Sequence, residues 1–268
     1  MKIITWNVNS VRVRLEHLIE MLQTHMPDIV CLQEIKVVNE LFPYDELKSV
    51  GYNSVVHGQK GFNGVALLSK APALEIKKGL DGMDGDNQAR WIEAGWHIKS
   101  INKILKVCCL YLPNGNPCNS SKYDYKKEWM EKLHAYSMSM IDSGEMVIMT
   151  GDFNVIPRYM DVWSVDSVKN NAVFTEEVRA LYHRIVHYGW VDAQRVLYPQ
   201  EEHFSFWDYT SRAWQNNHGM SIDHILLSPP AADYLVDSGI ELKIRDKTQP
   251  SDHAPVWCEL SITCEESE

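Results

Sequence analysis

Residues 250 to 260 read "PSDHAPVWCEL". Two ionisable side chains, Asp252 and His253, stand there between two prolines, just ahead of an apolar run that reads as a core strand. Neighbours on a strand point to opposite faces, so a strand that included this pair would bury one of the two. On these residues alone a turn is the default reading. Pro, Ser and Asp mark turns, and a histidine at a strand mouth is often a satisfied core residue. Whether the pair does more depends on what the rest of the chain brings to it.

Outward from this stretch, short apolar, β-branched runs recur along the whole chain. They are "KIITWNV", "PDIVCLQE", "GVALLSK", "RWIEAGWHI", "KILKVCCLYL", "EMVIMTGDFN", "SIDHILLS" and "APVWCEL". Each reads as a strand of about five residues ending in polar or turn residues. Helical periodicity lies between some of them. Leu15, Leu18, Ile19 and Leu22 mark one helix that stops before Pro27. Trp129, Leu133, Tyr136 and Met140 mark a second, and Val178, Leu181 and Ile185 a third, with Glu176 and Glu177 in its first turn and Gly189 as its stop. No linker, repeat or low-complexity stretch interrupts the pattern, so residues 1–268 are expected to form a single α/β domain of two packed sheets with helices outside.

The polar residues gather at strand ends. "DIVCLQE" ends in Gln33 and Glu34, "MVIMTGDFN" in Asp152 and Asn154, and "KVCCLYLPNG" in Tyr111 and Asn114. "KIITWNVN" leads into Asn7 and Asn9, while Asp223 opens "DHILLS" much as Asp252 and His253 precede "APVW". If these ends converge on one sheet edge, they form a cleft of Asn, Glu, Asp and His.

Composition sets the outer limits. The chain is 45% hydrophobic and 23% charged, which supports a sizeable core. No run approaches the ~18 apolar residues of a membrane span, and the N-terminal "MKIITWNVNSVRVR" reads as a first strand, not a signal peptide. Six cysteines without CxxC or regular spacing, two of them adjacent in an apolar run, suit buried thiols and a reducing cytoplasm. A formal charge of −10 argues against a broad basic surface, but not against a local basic rim around a cation-loaded site.

No nucleophile elbow, P-loop or HExxH is present. What remains is oxygen ligands and one or two imidazoles, which suit a hard cation such as Mg²⁺ and hydrolysis of a phosphoester. In such chemistry Glu34 can hold the metal, Asp152 can orient water, and His253 can donate to phosphate.

Nine segments then carry a resemblance. "TWNVNSVRVR", "PDIVCLQEIKV", "FPYDELKSVGYNSVVHGQKGFNGVALLSK", "LYLPNG", "GDFNV", "GWVDAQR", "FSFWDY", "IDHILLS" and "PSDHAPVW" span nearly the whole length in order. The chain resembles the exonuclease III type of AP endonuclease, within the endonuclease/exonuclease/phosphatase (DNase I-like) superfamily. "SDHAPV" and "GDFN" mark the superfamily; "LQEIK", "GQKGFNGVALLSK" and "FSFWDY" point to the DNA-repair branch.

The resemblance implies a four-layer α/β sandwich of two mixed sheets flanked by helices, with the site at the top edge. It implies that Glu34 coordinates Mg²⁺ (Mn²⁺ being an alternative), with Asn9 and Asp252 near the metal. Asp152 would orient or deprotonate water, Asn154 would help place it, and Asn7 would support the network. Tyr111 would sit beside the scissile phosphate, and His253, oriented by Asp223, would contact it. His224 would be structural. Asn114 and Arg90 are weaker matches as phosphate contacts, and Lys36 would offset the charge of Glu34. Phe206 and Trp207 resemble the walls of a pocket for a base-less sugar, with core packing the alternative role for either.

The implied activity is incision 5′ to abasic sites in double-stranded DNA, with 3′-exonuclease and 3′-repair work on blocked ends, by a monomer that needs no membrane. The expected basic rim is Lys36, Lys60, Arg90, Lys126 and Lys127. Asn9 stands where some members carry an aspartate. Met220 and Ser221 replace a bulkier pair, leaving the sugar pocket looser or shaped by Trp214 or another aromatic. The stretch "PRYMDVWSVDSVKNNAVF" is a variable insert that would alter admission of an extrahelical nucleotide. Two alternatives stay open: a phosphatase of the same superfamily acting on inositol phosphates or phospholipids, and a non-catalytic DNA-binding protein.

Overall fold

The computed structural model describes residues 1–263. The chain starts the first sheet with β1 (Lys2–Asn7) and β2 (Ile29–Gln33), which run parallel and are joined by the helix Leu15–His25. β3 (Asn53–His57) and β4 (Val65–Ser69) follow, with β4 pairing antiparallel to both β3 and β2. The second sheet then builds from β5 (Leu74–Lys78), β6 (Trp91–Ile98), β7 (Lys103–Tyr111), β8 (Met146–Asp152), β9 (Val191–Asp192) and β10 (Asp223–Leu227). Finally β11 (Leu235–Ile240) and β12 (Val256–Leu260) return to the first sheet, β12 pairing with β1. Two six-stranded sheets result, ordered β11-β12-β1-β2-β4-β3 and β5-β6-β7-β8-β10-β9. Each is mixed, because β1–β2 and β7–β8 are parallel.

Alternation along the strands makes the layers. Ile3, Cys31, Leu67, Val107, Cys109, Ile148 and Ile225 meet in one buried cluster between the sheets. Their neighbours point outward: Ile4, Val30 and Leu32 pack under Leu18, Met21 and Leu22 of the first helix. Cys108, Leu110, Val147 and Met149 pack under Trp129, Leu133, Val178, Leu181 and Ile185 from the helices Ser121–Asp142 and Glu176–His187. The period of two, with both faces apolar, is what a sheet buried on both sides requires. The architecture is the expected four-layer sandwich.

Both long outer helices start on a side-chain cap: Ser120 accepts from the Tyr123 amide and Thr175 from that of Val178. The five cysteines among the described residues are free, and Cys31, Cys108, Cys109 and Cys258 are buried. Among the described residues no helix is long and apolar enough to cross a membrane. Four strands escape the sequence reading, β3, β5, β9 and β11, and these are the four sheet edges.

Candidate active site

The sandwich brings strand ends from both sheets to one edge. Asp152 closes β8; its register partners are Tyr111 at the end of β7 and Asp223 at the start of β10. Asn7 closes β1 in the other sheet, and Glu34 follows β2 directly. One amide then joins the sheets: Asn7 Nδ2 donates to Glu34 Oε1 at 2.8 Å and to Asp152 Oδ2 at 2.9 Å. Asn7, Asp152, Asp223 and His253 are all buried, where unpaired polar groups are costly, so these bonds fix the cluster.

His253 lies between the two aspartates. Its Nδ1 is 2.8 Å from Asp223 Oδ2, and its Nε2 is 3.8 Å from Asp152 Oδ2. The Ser205 hydroxyl donates to the same Asp223 oxygen at 2.6 Å. Burial alone would push the imidazole down, but the Asp223 and Asp152 carboxylates outweigh it and hold His253 well above its usual range. Burial pushes the Asp152 carboxyl up, opposed by the charge of His253 and aided by that of Asp223. A cationic donor thus stands beside a carboxylate poised to accept a proton.

Of the second Asp-His pair in the sequence, Asp223 serves this cluster and His224 does not. His224 turns its Nε2 to the Val155 carbonyl at 3.0 Å and packs its ring against Phe153 and Tyr182.

Asp252 faces the other way from its neighbour. Asn9 donates to Asp252 Oδ1 at 2.9 Å, and the Lys36 ammonium bonds both Asn9 Oδ1 at 2.5 Å and Glu34 Oε2 at 2.8 Å. A carboxylate oxygen of Glu34 and the amide oxygen of Asn9 therefore meet at a cationic position, with the Asp252 carboxylate one hydrogen bond behind Asn9, and oxygens of this kind fit a hard divalent ion. Burial pushes Glu34 up, but Lys36 and Asn7 more than offset this, so its carboxyl stays ionised. Asp152, Asp223 and His253 also bring one possible ligand atom each within 4.8 Å of one another. The short contact between Asp223 and His253 commits that second set to hydrogen bonding, so the Glu34 side fits a cation better. Asn9, Glu34, Lys36 and Asn154 all have φ between 44° and 54°, a left-handed cluster of the kind that concentrates at functional sites.

Behind Asp152, the Asn154 amide N–H donates to Asp152 Oδ1 at 2.9 Å, and Asn114 Nδ2 donates to Asn154 Oδ1 at 2.9 Å. The Arg90 guanidinium lies 4.8 Å from the centre of the Tyr111 ring and donates to the Tyr111 carbonyl. Burial and the charges of Glu34 and Asp152 hold the Tyr111 phenol well above its usual range, so it stays a hydrogen-bond donor.

Several expectations need correction. Trp207 is 2% exposed and packs with Phe204 and Trp214, so it belongs to the core. Phe206 does reach the cluster, its ring 4.9 Å from that of His253. Trp214 packs on Trp207 and bonds Asp246 instead of shaping a sugar pocket. Lys126 is fully buried, which removes it from any rim. Lys127 is tied to Glu177 and Asp124. Met220 pairs through its backbone with Phe206 on one side and Val162 of the insert on the other, so the insert does abut the site. Sequence reasoning missed Ser205 and Tyr209, whose hydroxyl lies 3.2 Å from Asn9 Nδ2; neither carries a spacing signal of its own.

The model of the endonuclease/exonuclease/phosphatase family matches residues 4–253. Exodeoxyribonuclease III of Haemophilus influenzae is 36% identical over 268 residues, covering 97% of this chain and 100% of its own. An AP endonuclease from Archaeoglobus fulgidus superposes with a TM-score of 0.91 at 37% identity, covering 98% of this chain and 100% of its own. The 3′ phosphatase NExo from Neisseria, bound to a product DNA hairpin, gives 0.92 at 32% identity, over 97% and 99%. The chain belongs to the endonuclease/exonuclease/phosphatase family, in its exonuclease III-type AP endonuclease branch, and is a hydrolytic nuclease.

Proposed function

We propose that the protein is a Mg²⁺-dependent DNA-repair phosphodiesterase that acts as a monomer. It cuts double-stranded DNA 5′ to an abasic site, leaving a 3′-hydroxyl and a 5′-deoxyribose phosphate, and it also trims blocked 3′ ends and nucleotides. The observation that carries this reading is the amide of Asn7, which holds Glu34 at 2.8 Å and Asp152 at 2.9 Å across the gap between the sheets. An AP endonuclease at 37% identity and a DNA-bound 3′ phosphatase at 32% identity support both halves of it.

In this reading Glu34, with Asn9 and Asp252 beside it, holds Mg²⁺ or Mn²⁺, which when bound neutralises phosphate charge and polarises its oxygens. Asp152 orients the attacking water and takes its proton, while Asn154 and Asn114 fix the angle of approach. His253, cationic through Asp223, donates to a non-bridging oxygen as charge develops there. Tyr111 and Arg90 add donors on the opposite flank. Phe206, beside His253, walls the pocket for the base-less sugar, whose extrusion costs less than that of a paired base. Lys36, Lys60 and Arg90 form the local rim that lets a chain of net charge −10 hold DNA.

The test is a 5′-labelled duplex with one abasic site, incubated with Mg²⁺ or chelator beside inositol phosphates as a competing substrate class. Metal-dependent incision at the site supports the reading. Hydrolysis of the inositol phosphates without incision rejects it.

A further inference from the structure

Lys126 lies on the helix Ser121–Asp142, in an outer layer of the sandwich, and is 0% exposed. Its stem runs inward past Gly115, where an added Cβ would come within 2.6 Å of the Lys126 Cδ. The head ends behind the site: Nζ donates to the Asn154 carbonyl at 2.6 Å and to the Asn114 carbonyl at 3.1 Å. The side chains of those two residues bond each other at 2.9 Å, and the backbone N–H of Asn154 donates to Asp152 at 2.9 Å. One amine therefore closes a ring through the segments that follow β7 and β8, at a residue whose own backbone is left-handed, with φ of 47°.

We propose that Lys126 is a positioning residue for hydrolysis: it clamps the backbone of Asn114 and Asn154, whose side chains brace each other, so that the backbone N–H of Asn154 holds Asp152 in line with the scissile phosphate. The inference rests on the phosphodiesterase reading above. A core lysine is otherwise hard to explain, because burying an amine costs several kcal/mol unless its hydrogen bonds are satisfied. Burial, partly opposed by the Asp152 charge, pushes its ammonium down to about 7. A neutral amine keeps two N–H groups, so both protonation states can make both bonds.

The test is a double-mutant cycle of single-turnover incision on an abasic duplex, with wild type, K126M, N114A and the double variant, each checked for folding by thermal melt. K126M is expected to lower the rate about ten- to a hundredfold, with half-saturating duplex changed less than about twofold. In the N114A background the same substitution should cost less than about threefold. Equal costs in both backgrounds, or a loss carried by weaker DNA binding, would overturn the clamp. If K126M does not fold, K126Q, whose shorter side chain ends in a neutral amide with two N–H donors, replaces it in the cycle under the same criteria. A wild type without metal-dependent incision overturns the phosphodiesterase reading as well, which separates that failure from failure of the clamp alone.

Discussion

Asp223 Oδ2 and His253 Nδ1 lie 2.8 Å apart although 30 residues separate them in the chain. The acid adjacent to His253 in sequence, Asp252, instead accepts a bond from Asn9. The Asp-His dipeptide at the mouth of β12 is thus split: His253 faces Asp223 and Asp152, and Asp252 faces Asn9.

The first prediction follows from the charge on His253. Asp223 and Asp152 outweigh the burial penalty and push His253 up to about 10. A histidine raised in the folded state contributes stability that is complete below its unfolded value near 6.5 and lost as pH rises through the folded value. Incision should therefore decline in the alkaline range as His253 loses its proton, while the raised Asp152 carboxyl, which must be ionised to take a proton, sets the acid limb near 7. Asp223→Asn should move that decline to lower pH, read directly from pH–rate profiles of the two proteins.

Asn7→Ala removes the donor shared by Glu34 and Asp152. The single-turnover rate should fall on the order of a hundredfold, with DNA affinity little changed, since the loss is in alignment and not in phosphate contacts. Asn7→Asp should be worse, because it sets a third carboxylate between two others. Paired kinetics and filter binding on the same duplex would separate these effects.

Lys36→Met takes the ammonium away from Glu34 and Asn9, its partners at 2.8 and 2.5 Å. The half-saturating Mg²⁺ concentration should drop, because the bound cation no longer meets a fixed positive charge. The salt slope of DNA binding should shrink by about one phosphate contact. Lys127→Ala should leave that slope unchanged, since Lys127 bonds Glu177 and Asp124 between the outer helices and touches no residue of the strand-end cluster. Binding titrations at several salt concentrations distinguish the two.

The neighbouring aromatics should separate cleanly. Trp207→Ala empties a core position and should cost about 3–5 kcal/mol of stability in urea denaturation. Phe206→Ala should cost less stability but weaken discrimination between an abasic site and an intact nucleotide, measured as the ratio of incision rates on the two duplexes.

How much of this was legible in the sequence depended on burial. Strands covered on both faces, such as β2 and β8, announce themselves as apolar runs. The unread strands β3, β5, β9 and β11 are sheet edges, where one side meets solvent and polar residues such as Glu75, Lys77 and Asp237 break the run. The site residues were legible because they stop strands: Asn7, Tyr111, Asp152 and Asp223 all sit at strand ends. Lys126 was misplaced, and Trp207 was left open between pocket wall and core, for the opposite reason. A lysine reads as a surface residue and a Trp beside a site residue as a pocket wall, and only tertiary packing reveals that both are buried.

The central claim is that Asp152, held by Asn7 and facing His253, governs metal-dependent incision. Its most direct test compares wild type with Asp152→Asn in single-turnover incision of a duplex carrying one abasic site, with Mg²⁺ and with chelator. The predicted result is Mg²⁺-dependent cutting 5′ to the site by the wild type, and a variant that binds the duplex normally but cuts about 10²–10⁴ times more slowly. A variant that cuts at the wild-type rate, or a wild type that cuts equally well in chelator, would contradict the account.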